Sequence, residues 1–103
     1  MHRHGEYKMP GGKLVVVDLE LLAGRLERVV VSGDFFLDPD EALEAIDKAL
    51  TGLPAATDTA ALAQAVQAGL PEGTTMFGLS AEAIAVAVRR AVDGMPADDT
   101  PTT

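Results

Sequence analysis

The chain has no cysteine and no tryptophan. The first absence removes disulfides, thiol catalysis, Cys-ligated zinc and iron–sulfur ligation together. Aromatic residues amount to three Phe and one Tyr. Positive charge is scarce: 8 Lys and Arg stand against 16 Asp and Glu, a formal net charge of −8. Such a domain is repelled by nucleic-acid phosphates and by anionic membranes, and no local Lys/Arg cluster offsets the repulsion. Long apolar runs are missing too, since none reaches the roughly 18 residues needed to span a bilayer. The beginning, Met1-His2-Arg3-His4-Gly5-Glu6, has no apolar stretch behind its basic residues and does not read as a signal peptide, so the cytoplasm is the expected compartment. What is present is a 48% hydrophobic composition over 103 residues, enough for one domain with one core and no staple.

Residues 1–10 are polar and punctuated and read as a loosely ordered N-terminal arm. Two histidines without a third ligand, His2 and His4, make no specific metal site there, and a Ser–His–Asp arrangement would need the arm to fold back. From Leu14 to Leu22 apolar and polar residues alternate, with Val15, Val17, Leu19 and Leu21 on one side, which predicts a half-buried strand. Ala23-Gly24-Arg25 is the turn and Leu26 to Ser32 the return strand. A three-residue loop begun at Leu22 and closed by Gly24 places Val17 opposite Val29 and Val15 opposite Val31, whereas a two-residue loop would set Val29 and Val31 opposite Asp18 and Val16, on the wrong face. Asp38 as cap, Pro39 at the first helical position and Glu41 completing a capping box predict a helix that buries Leu43, Ile46 and Leu50 and stops at Gly52. A second helix is predicted over Asp58 to Ala68, a third strand over Thr74 to Leu79, and a third helix over Ala81 to Val92, capped by Ser80. Met95 to Thr103 has the composition of a disordered tail. The expected fold is α+β: a small antiparallel sheet of about three strands with three helices on one face, spanning residues 11–94. The other face carries Leu14, Val16, Val30 and Phe36 and is too apolar for free solvent, which points to a partner.

Two motifs exceed scaffold needs. Paired glycines before a lysine, Gly11-Gly12-Lys13, can cradle a phosphate with backbone N–H groups and one ammonium. The P-loop pattern is incomplete, because no Ser or Thr follows Lys13 and a strand follows instead of a helix; on the residues alone a turn entering a strand accounts for it. Gly33-Asp34-Phe35-Phe36 reads as a bend with one core phenylalanine, as a docking edge with an aromatic anchor, or as both. Asp40, Glu41, Glu44 and Asp47 line the outer face of the first helix as solubilising charge.

The run EYKMPGGKLVVVDLEL, followed by GRLERVVVSGDFFLDPDEALEAIDKALTG, resembles the C-terminal accessory domain of lipoate–protein ligases. It is most similar to the free-standing small subunit of the two-part ligases. The matching residues are Tyr7-Lys8, Gly11-Gly12-Lys13-Leu14, the hairpin with Gly24, Ser32-Gly33-Asp34-Phe35-Phe36 and Pro39-x-Glu41, covering about half of the chain, with MFGLSAEAIAVAV fitting more loosely. The resemblance implies a subunit with no activity and no cofactor of its own. A large catalytic subunit would hold ATP, Mg and lipoate, form lipoyl-adenylate and pass the lipoyl group to an acceptor domain. Lys13, Gly11 and Gly12 would then lie near the nucleotide in the complex, and Leu14, Val16, Val30, Asp34, Phe35 and Phe36 would meet the partner. Octanoate is an alternative acid. Rival readings are a small acidic adaptor with an unrelated partner, an iron–sulfur assembly module, which the lack of cysteine disfavours, and a carrier domain, whose lysine is missing from the Ala23-Gly24-Arg25 tip.

Overall fold

The computed structural model describes residues 1–10 and 13–94. Gly11, Gly12 and the expected disordered tail, 95–103, lie outside the described residues. The alternating segments form an antiparallel hairpin of β2 (Leu14–Leu22) and β3 (Arg25–Gly33). Its loop is two residues long, not three: Leu22 pairs with Arg25, and Ala23 and Gly24 both take positive φ, 53° and 77°. That is the type I′ geometry whose twist matches the strands. The two-residue loop does not flip Val29 and Val31 outward, because β3 carries a bulge. Glu20 pairs with Glu27, but Asp18 pairs with Val30, so Arg28 and Val29 together face Leu19. Arg28 absorbs the extra residue at φ 51°. Beyond it Val17 pairs with Val31 and Val15 with Gly33, shifted by two from expectation but on the expected face.

The N-terminal segment is not a loose arm. It is β1 (His2–Lys8), paired antiparallel to β2 from His2–Glu20 to Lys8–Leu14, and it supplies the third strand of a sheet ordered β1-β2-β3. The expected third strand exists but lies elsewhere. β5 (Thr75–Phe77) pairs with β4 (Phe36–Asp38) in a separate two-stranded ribbon. Between and after these come α1 (Glu41–Leu50), α2 (Thr59–Gly69) and α3 (Ala81–Asp93). Asp58 and Ser80 cap α2 and α3 by accepting from the N–H groups of Ala61 (2.8 Å) and Ala83 (3.0 Å). Asp38 does not cap α1; it is the last residue of β4, and the residue preceding the helix, Asp40, makes no side-chain cap bond.

All three helices cover one sheet face. α3 lies across β1 and β2, α1 lies against β3, and α2 packs on both other helices. The core is Val15, Val17 and Leu19 of β2, Leu26, Val29 and Val31 of β3, Ile46 and Leu50 of α1, Leu62 and Val66 of α2, and Ile84 and Val88 of α3. The outer edge of β3 is closed by backbone bonds from the segment after α1 at Leu26, where the Gly52 N–H donates to the Leu26 carbonyl and the Leu26 N–H to the Leu53 carbonyl, and by side chains farther along. Asp47 of α1 accepts from the Val31 N–H at 3.0 Å, and Thr51 Oγ1 accepts from the Val29 N–H at 3.4 Å. Burial pushes the Asp47 carboxyl above its ordinary value; the Val31 bond opposes this and the Glu44 charge adds to it. Asp47 therefore ties helix to sheet and is not only the solubilising charge its place on the helix predicts.

Candidate functional site

Three chain segments meet at one end of the sheet. The first is the entry to β2, where the Met9 N–H donates to the Lys13 carbonyl at 2.8 Å and closes the β1–β2 connection. The second is the exit from β3. The Asp34 carboxylate accepts from the Leu14 N–H at 2.8 Å, fixing the backbone immediately after Lys13. Gly33 sits at φ 151°, where a side chain would overlap the Leu14 carbonyl and the Phe35 ring. The third is the end of β5. Gly78, at φ 72°, has the aliphatic stem of Lys13 lying where its own side chain would be. Lys13 is thus laid over a glycine while remaining exposed to solvent.

The β4–β5 ribbon continues this end as an aromatic surface. Phe36 pairs with Phe77, their ring centroids 5.9 Å apart and tilted by 44°. Both are open, Phe36 61% and Phe77 53% exposed. Beside them an open cavity of about 260 Å³ is lined by Phe35, Phe36, Leu37, Asp40 and Leu43. Leu37 beneath it is buried in the core and Phe35 is half-buried against the core. The two phenylalanines divide as extended neighbours should, one inward and one outward.

Of the residues singled out from the sequence, Lys13, Leu14, Asp34, Phe35 and Phe36 come together at this end. Val16 and Val30 do not. They lie on the open face of the main sheet, paired with Ser32 and Asp18, Val16 half-buried and Val30 exposed. Phe77 and Gly78 belong to the site although the sequence reading gave them no role. The signal was a lone aromatic followed by a glycine at the end of a short β-prone run.

The open sheet face holds a second arrangement that the arm reading missed. His4 of β1 is held between two carboxylates: Nδ1 lies 2.8 Å from Asp18 Oδ1 and Nε2 lies 2.7 Å from Glu6 Oε2. His2 Nε2 shares the same Asp18 oxygen at 3.1 Å, and its Nδ1 stands 3.5 Å from Glu20. A neutral imidazole can donate through only one nitrogen, so both bonds of His4 are satisfied only in the cation. Its pKa is accordingly raised above the ordinary 6.5, first by the Glu6 bond and then by the Asp18 bond. Burial pushes Asp18 up, but the bonds and charges of His4 and then His2 outweigh it, and the carboxyl falls below its ordinary value. A raised histidine contributes stability that is complete below its unfolded value and lost as pH rises through the folded one. Denaturant unfolding followed from pH 5 to 9 is therefore expected to show stability falling from about pH 6.5 upward. The decline should be absent in His4→Gln; an unchanged profile in that variant would remove His4 as its source. The opposite loss, from Asp18, is expected as pH drops below the ordinary carboxylate value. Among the described residues no group of three or more His, Asp or Glu is placed to hold a metal ion. No helix among them is long and apolar enough to cross a membrane.

The arrangement of a three-stranded sheet, three helices and an aromatic ribbon is that of a small α+β domain with Lys13 exposed at one end. No protein-family model matches the chain, and no curated protein does. Among solved structures the chain is similar to one from a structural analysis of an archaeal lipoylation system, a bipartite lipoate protein ligase and its E2 lipoyl domain from Thermoplasma acidophilum. The superposition has a TM-score of 0.70 at 22% sequence identity and covers 86% of this chain and 96% of that one. At that identity the likeness shows a shared fold.

Proposed function

We propose that this chain is the non-catalytic accessory subunit of a two-part lipoate–protein ligase, assisting a separate catalytic subunit in the ATP-dependent activation of lipoate to lipoyl-adenylate. The observation that carries the reading is the fold shared over 86% of the chain with a chain of a lipoylation system whose ligase is bipartite. That system contains a lipoyl domain as well, so the choice between subunit and carrier rests on the residues. A lipoyl carrier displays its lysine at a hairpin tip, and the β2–β3 tip here is Ala23-Gly24 with Arg25 after it. The conserved requirement of such a reaction is chemical: a mixed anhydride must be kept from water until the acceptor arrives. A small domain that closes over the partner's site serves that end. In this reading ATP, Mg and lipoate are held by the catalytic subunit. Gly11, Gly12 and Lys13 stand near the nucleotide, and the Leu14, Asp34, Phe35 and Phe36 end faces the partner. Val16 and Val30, on the open sheet face, belong to a different surface. The setting is the cytoplasm.

The test is co-expression with a candidate catalytic subunit and measurement of lipoate-dependent ATP–pyrophosphate exchange with and without the chain. Co-purification and a rate that depends on the chain are expected, together with no mass gain on the chain after incubation with ligase, ATP and lipoate. A lipoylated chain would make it a carrier, and an unchanged exchange rate would leave it no part in activation.

A further inference from the structure

The segment that carries Phe35 and Phe36 bears charge of one sign, while Lys13 lies beside Phe77 over Gly78. Between Arg28 and Lys48 there is no Lys or Arg, while Asp34, Asp38, Asp40, Glu41, Glu44 and Asp47 all fall in that interval. All of these but Asp47 are exposed, and Asp40 itself lines the cavity beside Phe36. An exposed Phe36–Phe77 pair over an open cavity of about 260 Å³ is an apolar feature that water covers poorly. Asp40, the charged residue of its lining, disfavours an anionic group entering it. A second copy of this chain, with its own net charge of −8 and the same acidic strip, is a poor fit for it.

We infer that the Phe35–Phe36–Leu43 cavity is the anchor point of the partner, receiving one large apolar side chain from a segment that carries Lys or Arg on both sides of it. The apolar side chain fills the cavity and covers the Phe36 ring; the flanking cations meet Asp40 and the neighbouring carboxylates. Burial of the aromatic anchor supplies most of the affinity, and the charges supply speed and choice of partner. The identity of that partner as the ligase catalytic subunit rests on the function proposed above. The chemistry of the segment does not.

The experiment has two arms, so that the two ideas fail separately. In the first, binding of the wild-type chain to the candidate catalytic subunit is measured against Phe36→Ser, Asp40→Lys and, as a control on the open sheet face, Val30→Ser. The affinity of Phe36→Ser is expected to fall at least tenfold and that of Asp40→Lys severalfold, with Val30→Ser unchanged. Wild-type binding should weaken as salt rises. Binding lost in Val30→Ser and kept in Phe36→Ser would overturn the inference and leave the proposed function standing. In the second arm the isotope-labelled chain is titrated with the peptides acetyl-KKLFKK-amide and acetyl-EELFEE-amide. Amide shifts at Phe35, Phe36 and Leu43 with the first peptide alone are expected, even if the catalytic subunit fails to bind. Equal shifts with both peptides, or none with either, would overturn it. So would a concentration-dependent dimer of the wild-type chain that Phe36→Ser abolishes, since the occupant would then be a second copy.

Discussion

Replacing Gly5 with alanine is expected to cost the domain about 3 kcal/mol, at the upper end of what overpacking a core costs. Gly5 lies in the middle of β1, buried beneath α3. A side chain there would overlap the Ala87 carbonyl and the Ala91 N–H, and would come within 2.9 Å of the Ala91 Cα. These are backbone atoms, so no rotamer change relieves the clash; strand and helix must separate. Separation would loosen Ile84 and Val88, which α3 buries in the core alongside its alanines. Native domains have only about 5–15 kcal/mol in total, so a loss of this size is a large share. The melting temperature of Gly5→Ala should fall by more than about 10 °C. Gly24→Ala is the comparison. Gly24 sits at positive φ, 77°, but nothing lies within 4 Å of the added carbon. Its cost is confined to backbone strain of about 1 kcal/mol. Equal melting temperatures for the two variants would show that the β1–α3 contact yields more easily than its geometry implies.

The same glycine explains why the first strand was not legible in the sequence. Strands are found by alternating apolar residues, and β1 has none to offer. Its inner residues are Arg3, Gly5 and Tyr7: Arg3 rests against Gly94 at the end of α3, Gly5 makes the close approach, and Tyr7 lies 5.1 Å beneath the Arg90 guanidinium. Its outer residues are His2, His4 and Glu6, held by the carboxylates and each other. A strand that packs by small size and cation–π contact on one side, and by ion pairing on the other, has the composition of a tail. The hairpin was legible because Val15, Val17 and Leu19 alternate cleanly. Its loop length was not, since that argument assumed unbroken pairing. The bulge had one trace: Leu26 and Val29 are both buried though an odd number of positions apart. At the candidate site, Lys13 and the Gly33–Phe36 run stood out as residues that a scaffold does not need. Their meeting with Phe77 and Gly78 depends on the pairing of β4 with β5 across 36 intervening residues, from Pro39 to Thr74, which local pattern does not encode.

Under the function proposed above, Lys13→Met is expected to lower lipoate-dependent ATP–pyrophosphate exchange with the catalytic subunit by about a hundredfold or more, the scale of losing one donor to a developing anion. Met keeps most of the aliphatic stem that lies over Gly78 and removes only the ammonium. The Lys13 carbonyl stays held by the Met9 N–H and the Leu14 N–H by Asp34, so subunit assembly should be unchanged. This separates charge from scaffolding. Gly78→Val is the converse variant: it leaves the ammonium in place but puts a branched side chain where the Lys13 stem now lies, on a backbone at φ 72° that strains any side chain, so its melting curve is recorded to show that it still folds. A slower exchange rate with normal assembly is expected there too, because the charge would be displaced rather than deleted. If Lys13→Met exchanged at the wild-type rate while Gly78→Val did not, the loop would matter for its shape, and the ammonium would have no part in activating the acid. If both exchanged normally, Lys13 would be part of a turn entering a strand and nothing more, and the proposed function would have to rest on the aromatic end alone.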